Sequence, residues 1–145
     1  MAVYPRLRSH DYRCPGAYFV TMGTWRRTRL FGTVRGGIVN LSPEGLAVAE
    51  AWLAIPAHFP QVRLDTFVVM PDHFHGIFCL GPSRHTVGQI VGLFKGAATR
   101  AITELWGGRW APIWQRGFHD WIIRDDRAWC SISRYIDANP RNWKG

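Results

Sequence analysis

The sequence predicts a single α+β domain spanning residues 1–145, a central antiparallel sheet with helices packed on its faces. Two observations point there. Segments rich in β-branched and aromatic residues are interleaved with segments that follow the helical period, in the order β-β-α-β-β-α-β-α. The segments 61–70 (QVRLDTFVVM) and 73–80 (HFHGIFCL) are joined only by Pro71-Asp72, a link that suits an antiparallel hairpin and no crossover.

The elements follow in order. Residues 17–25 (AYFVTMGTW) read as the first strand. A turn at Gly36-Gly37 leads into a short strand around Ile38–Leu41. Ser42-Pro43 starts a helix, with serine as N-cap and proline in the first turn. That helix carries Leu46, Ala49, Trp52 and Leu53 and is expected to stop at Pro56. After the hairpin, Thr86 and Gln89 make a capping box for a helix over 87–106. Val87, Ile90, Val91, Phe94, Ala98, Ala101, Ile102 and Leu105 recur on one side of it, and Gly107-Gly108 ends it. The apolar stretch 113–123 reads as a further strand, and Asp125 caps a last helix running to about Ala138.

Hydrophobic residues at 47% and charged residues at 19% belong to a globular chain. No apolar run is long enough to cross a bilayer, and the basic N-terminal stretch lacks the apolar core of a secretory signal. Cys14, Cys79 and Cys130 show no C-x-x-C pairing and are expected as thiols. Together these predict a cytoplasmic protein without a membrane partner. The net charge is +8, from sixteen arginines and only two lysines, Lys95 and Lys144. Guanidinium presents a planar fork that matches phosphate oxygens, so the balance suggests a polyanionic partner and nucleoid association. An arginine-rich proteome gives the same excess, so charge alone does not decide. Most of the eight tryptophans are expected in the core.

His73-Phe74-His75 opens a strand. Side chains alternate across a sheet, so the two imidazoles share a face roughly 6–7 Å apart and can hold one divalent ion, while Phe74 points into the core. A bare H-x-H also describes two half-exposed histidines beside a turn. On the last helix Trp129, Ile132 and Ile136 form the apolar stripe. Tyr135 and Asn139, four residues apart, stack at its edge, with Arg127, Arg134 and Asp137 on the far side. Each also has a plain reading, a rim tyrosine and an asparagine ending a helix before Pro140. For phosphate contacts the sequence nominates Arg26 and Arg27 after the first strand, Lys95 on the less apolar side of the second long helix, and Arg116 and Arg124 flanking the fifth strand.

In combination these pieces resemble a known family. The stretch 67–78 (FVVMPDHFHGIF) resembles the HUH signature (histidine, hydrophobic residue, histidine) of the single-tyrosine transposases. The stretches 113–124 (IWQRGFHDWIIR) and 135–143 (YIDANPRNW) resemble that family's C-terminal motifs. The segment 11–24 (DYRCPGAYFVTMGT), with Leu30-Phe31-Gly32, is similar to its first strand and loop. The resemblance spans nearly the whole chain, in order, and includes the REP-associated tyrosine transposases and other insertion-sequence transposases of the same type. It implies a ferredoxin- or RRM-like sheet with the HUH motif on a central strand and a catalytic tyrosine on the C-terminal helix.

The resemblance further implies that His73, His75 and Asn139 bind a divalent metal, Mg²⁺ or Mn²⁺, and that Tyr135 is the nucleophile. The implied activity is that of a DNA transposase: a metal-dependent single-stranded DNA endonuclease and strand transferase forming a 5′-phosphotyrosine on hairpin DNA. Such a covalent link conserves the energy of the broken bond, so no nucleotide cofactor is expected, and the sequence carries no Walker loop. One nucleophilic tyrosine per chain favours a homodimer where two strands are cut, while some relatives act as monomers. The chain departs from the family at Phe118-His119, where close relatives often carry two tyrosines, and at Asp72, where asparagine is common. Two other readings stand beside this one. A non-catalytic or domesticated single-stranded nucleic-acid-binding module accounts for the charge and aromatics but not for H-x-H and Y-x-x-x-N together. A hydrolytic nuclease using metal-bound water calls for clustered carboxylates, and none of the ten Asp and Glu cluster near the histidines in sequence.

Overall fold

The computed structural model describes residues 16–145. Cys14 and the first residues of the segment 11–24 lie outside the described residues. The chain forms β1 (Ala17–Gly23), β2 (Gly32–Arg35), β3 (Ile38–Leu41), α1 (Pro43–Leu53), α2 (Ile55–His58), β4 (Val62–Met70), β5 (His73–Leu80), α3 (Val87–Leu105), β6 (His119–Ile123) and α4 (Asp126–Ala138). Four strands make one antiparallel sheet in the order β4-β5-β1-β6, and β2 and β3 form a separate two-stranded ribbon. With the ribbon and α2 set aside, the path β1-α1-β4-β5-α3-β6 is two interlocked β-α-β units, the ferredoxin-like arrangement. The expected α+β domain is present, with the histidine motif on a central strand.

Strand alternation divides the core in two. On β5, Phe74 and Phe78 are fully buried among Trp52 and Val48 of α1 and Ile90, Phe94 and Ala98 of α3. A β-carbon at Gly76 between them would sit 2.8 Å from the Trp52 indole, so glycine is what lets that ring lie against the strand. The opposite face carries His73, His75 and Ile77. There Ile77, Phe19 and Ile123 pack on Ile136 of α4, with Trp129 and Ile132 alongside. The caps form as the sequence predicts. Ser42 Oγ accepts from the Gly45 amide at 3.1 Å, Thr86 and Gln89 close their reciprocal box at 3.1 and 2.9 Å, and Asp125 Oδ1 accepts from the Ala128 amide at 2.8 Å.

Several details differ from the sequence expectation. β2 was not foreseen; its four half-exposed residues carry no apolar run, and it exists by pairing with β3. Pro56 does not end helical structure. The chain breaks at Ala54, and Pro56 then occupies the first turn of α2, where a missing N–H costs nothing. The stretch 113–123 is not one strand. Trp114 makes an isolated bridge to Thr24, Gly117 turns the chain at φ +80°, and only His119–Ile123 joins the sheet. Four tryptophans (52, 106, 114 and 129) pack in the apolar clusters, whereas Trp25, Trp110 and Trp121 are exposed. Of the three cysteines, Cys130 is a free thiol and Cys79 is not. Among the described residues no helix is long and apolar enough to cross a membrane.

The seat of α4 decides where its polar residues stand. The β4–β5 register shifts between Leu64 and Phe67, and the irregularity turns Asp65 and Thr66 toward the helix. Trp129 Nε1 donates to Asp65 Oδ2 at 2.8 Å, and Thr66 Oγ1 donates to Asp137 Oδ1 at 3.2 Å. Asp137 is therefore a docking residue and does not lie on the far side of the helix. Two polar attachments about two turns apart, with Ile136 fully buried between them, fix both the position and the rotation of α4.

Candidate active site

β5 begins at His73, so His73 and His75 project from the face that α4 covers, their ring centroids 4.6 Å apart. His73 Nδ1 lies 2.6 Å from Asp72 Oδ1, and its Nε2 lies 3.2 Å from Asn139 Oδ1. The end of α4 dictates that contact. The Asn139 amide bonds to the Ile136 carbonyl, tightening the last turn and leaving the Tyr135 carbonyl without its usual i+4 donor. Asn139 Nδ2 takes that carbonyl at 2.9 Å, which settles the orientation of the side-chain amide and presents its oxygen to His73.

His75 is buried, and its Nδ1 has no hydrogen-bond partner. Burial, then the neighbouring His73, then Arg27 push its pKa down from 6.5 to about 3, so the ring is neutral at pH 7. These residues fit a divalent cation on physical grounds. In the tautomer whose Nδ1–H donates to Asp72, His73 Nε2 turns a lone pair toward the Asn139 oxygen, an opposition that a shared cation would relieve. Two adjacent ligands on an octahedral ion at about 2.1 Å stand about 3 Å apart, close to the separation seen. Among the described residues no group of three or more His, Cys, Asp or Glu gathers around a metal position; a cation held by His73, His75 and Asn139 would have two imidazoles and an amide as donors.

Tyr135 is 53% exposed. Its ring stands edge-on to His75 at 5.4 Å and to Phe19 at 6.4 Å. It opens onto a cleft of about 460 Å³ that also takes in His73, His75 and Asn139. The cleft thus unites all four residues that the sequence singled out for chemistry. Of the nominated phosphate contacts, Arg27 and Arg116 line it. Arg26, Lys95 and Arg124 do not. Arg26 lies over the Trp25 ring at 5.4 Å, and Arg124 follows the end of β6. Lys95 Nζ donates to the carbonyls of Gln115 and Gly117 at 3.0 and 2.9 Å, with its pKa lowered by burial, and so holds the loop before β6 from beneath.

Arg26 and Arg27 adopt left-handed conformations, φ 52° and 57°, which cost L-residues roughly 1–2 kcal/mol each. Buried Thr24 holds the turn. Its hydroxyl reaches the Thr28 carbonyl at 2.7 Å and the Asp72 carbonyl at 3.1 Å. The turn brings Arg27 Nε to 3.4 Å from Asp72 Oδ2, beside the histidines. Sequence reasoning missed this part of Asp72, whose residue type signals only a turn. It also missed Gln115, His119, Asn142 and Trp143 as cleft walls. His119 carried a usable signal, since it stands two residues before Trp121 on a strand.

No protein-family model matches the chain. Its fold is similar to the tyrosine transposase fold. A REP-associated tyrosine transposase bound to a REP hairpin aligns at a TM-score of 0.67 and 22% identity, over 97% of this chain and 73% of that one. A protein of Deinococcus radiodurans R1 described as a candidate transposase aligns at 0.58 and 18%, over 92% and 96%. At sequence level, the chain belongs to one family with an uncharacterized protein of Haemophilus influenzae. The two are 34% identical over 163 residues, which cover 96% of this chain and 88% of that protein.

Proposed function

We propose that this protein is a transposase-type enzyme, a metal-dependent endonuclease and strand transferase of single-stranded DNA whose nucleophile is Tyr135. One observation carries the reading. His73 and Asn139, 66 residues apart in sequence, meet at 3.2 Å in the cleft that also holds His75 and Tyr135. A plain turn histidine and a plain helix-ending asparagine have no reason to meet there. The hairpin DNA bound by the structurally similar REP-associated transposase suggests the substrate class.

His73, His75 and Asn139 would hold Mg²⁺ or Mn²⁺, which when bound polarises the scissile phosphate as a Lewis acid. Asp72 fixes the His73 ring and its tautomer. Arg27 and Arg116 sit where flanking phosphate oxygens would lie and neutralise them. Tyr135 Oη attacks phosphorus in line and loses its proton to solvent. The P–O3′ bond breaks, the departing oxygen takes up a proton as a free 3′-OH, and the 5′-phosphate remains on the tyrosine. A second 3′-OH reverses the step, restoring a phosphodiester and the free phenol. Because the phosphotyrosine conserves the bond, no nucleotide cofactor takes part. With one nucleophilic tyrosine per chain, cutting two strands takes two copies or two successive rounds. A DNA substrate also accounts for the basic charge and would place the protein at the nucleoid.

The test is incubation with Mn²⁺ and labelled single-stranded hairpin oligonucleotides taken from the DNA flanking the gene, resolved on a denaturing gel. The reading expects a slow-migrating adduct that disappears with EDTA, with Tyr135→Phe and with His73→Ala. Cleavage without an adduct would show a hydrolytic nuclease instead. Tight binding with neither would show a recognition module.

A further inference from the structure

We infer that the exposed face of β6 is a stacking site for unpaired bases of single-stranded DNA, with Trp121 as its platform and His119 as its step into the cleft. The inference rests on the proposed DNA-processing function but concerns a different surface. On β6, His119, Trp121 and Ile123 project from the face that α4 covers elsewhere, opposite Thr21, Phe19 and Ala17 of β1. Ile123 is buried in the second core, yet Trp121, on the same face, is 53% exposed. The helix stops short of it, and among the described residues no other element covers it.

Trp121 is nevertheless held. Its ring stacks on Phe19, with centroids 5.5 Å apart and planes 25° apart, and Phe19 is 8% exposed. A flat indole supported from beneath by a buried ring and open above is the arrangement on which a base stacks without further ordering of the protein. The platform is continuous with the cleft. His119 lies 6.2 Å from Trp121 at 35° and lines the cleft, and Phe19 itself touches Tyr135 at 6.4 Å and His75 at 5.6 Å. One buried ring therefore separates the platform from the tyrosine.

Charge selects the occupant. Arg116 and Arg124 stand exposed before and after β6, while Asp120 points to the opposite face, in a chain of net charge +8. Basic residues bracketing an open aromatic suit a strand whose phosphates pass over the arginines and whose base lies on the indole. A second copy of this equally basic chain would bring like charge to the same place.

The site is tested by fluorescence anisotropy with labelled oligo-thymidylate in EDTA, on a Tyr135→Phe background where binding is read without cleavage. Trp121→Ala is expected to weaken binding about tenfold or more, and Trp121→Phe to restore most of the loss. The slope of affinity against salt should stay unchanged, because stacking releases no counterions. Unaltered affinity in Trp121→Ala would overturn the inference. So would a loss that Phe fails to restore, or a Trp121→Ala protein that sediments as a monomer where the parent is a dimer. Failure here is distinguishable from failure of the tyrosine reading. An adduct formed by wild type together with full affinity in Trp121→Ala removes the stacking site alone. Weakened binding in Trp121→Ala with no adduct from wild type removes the tyrosine chemistry alone.

Discussion

Asp72 connects three parts of the site: its carboxylate meets His73 Nδ1 on one side and Arg27 on the other, and its carbonyl receives Thr24. A carboxylate behind a ligating histidine orients the ring and raises its basicity, and losing such a partner typically costs about 10–100-fold in metal affinity. Asp72→Ala should therefore weaken Mn²⁺ binding by about that factor, measured by titration calorimetry or electron paramagnetic resonance. Asp72→Asn, which keeps an acceptor oxygen, should lose less. Equal Mn²⁺ affinity in all three proteins would show that Asp72 is only a turn residue. At this scale the sequence was informative in part. The histidine pair was legible because strand alternation is a fixed period of two, and Tyr135 with Asn139 because helical neighbours recur every four. The Asp72 contact was not legible, since it depends on the geometry of the turn. Neither was the orientation of Asn139, which comes from a helix end tightening by one hydrogen bond.

Among the elements, α4 carries the proposed nucleophile, and its seat on β4 decides where Tyr135 stands. Asp65 is almost fully buried, and Trp129 donates to it. Trp129→Phe removes that donor while keeping most of the ring, so folding stability should fall by about 1–3 kcal/mol, read by denaturant melts. Adduct formation should fall further than the population of unfolded protein explains, because the same bond sets the rotation of α4. Unchanged stability and unchanged adduct yield would mean that apolar packing alone seats the helix. The elements themselves were largely readable. Capped helices and the hairpin across Pro71-Asp72 stand where local residues placed them. β2 was hidden because its pairing with β3 supplies what its own residues lack. The break inside 113–123 was hidden because apolar residues at both ends read as one strand, whereas a left-handed glycine and two bonds from Lys95 turn the polar middle out of the sheet.

For the whole molecule, the site imposes a pH dependence on stability. His75 titrates near 6.5 when unfolded and near 3 when folded, so between those values the unfolded chain binds the extra proton. The stabilisation is complete above about pH 6.5 and is lost progressively as pH falls toward 3. In EDTA the melting temperature should decline across that window, and His75→Gln should decline less steeply. Parallel curves would show that His75 is not buried as described. The overall architecture was legible because β-α-β units leave few ways to close an antiparallel sheet. The cleft was not, since its walls come from β1, β5, the loop before β6, α4 and the residues after it, which only the folded chain brings together.

The central claim is that Tyr135 becomes covalently joined to DNA. The most direct measurement is mass spectrometry of the protein after reaction with a single-stranded hairpin in Mn²⁺, nuclease trimming and proteolysis. The account predicts a nucleotide phosphate on the peptide containing Tyr135, absent with EDTA. Cleaved DNA with that peptide unmodified, or a nucleotide on any other residue, would contradict it.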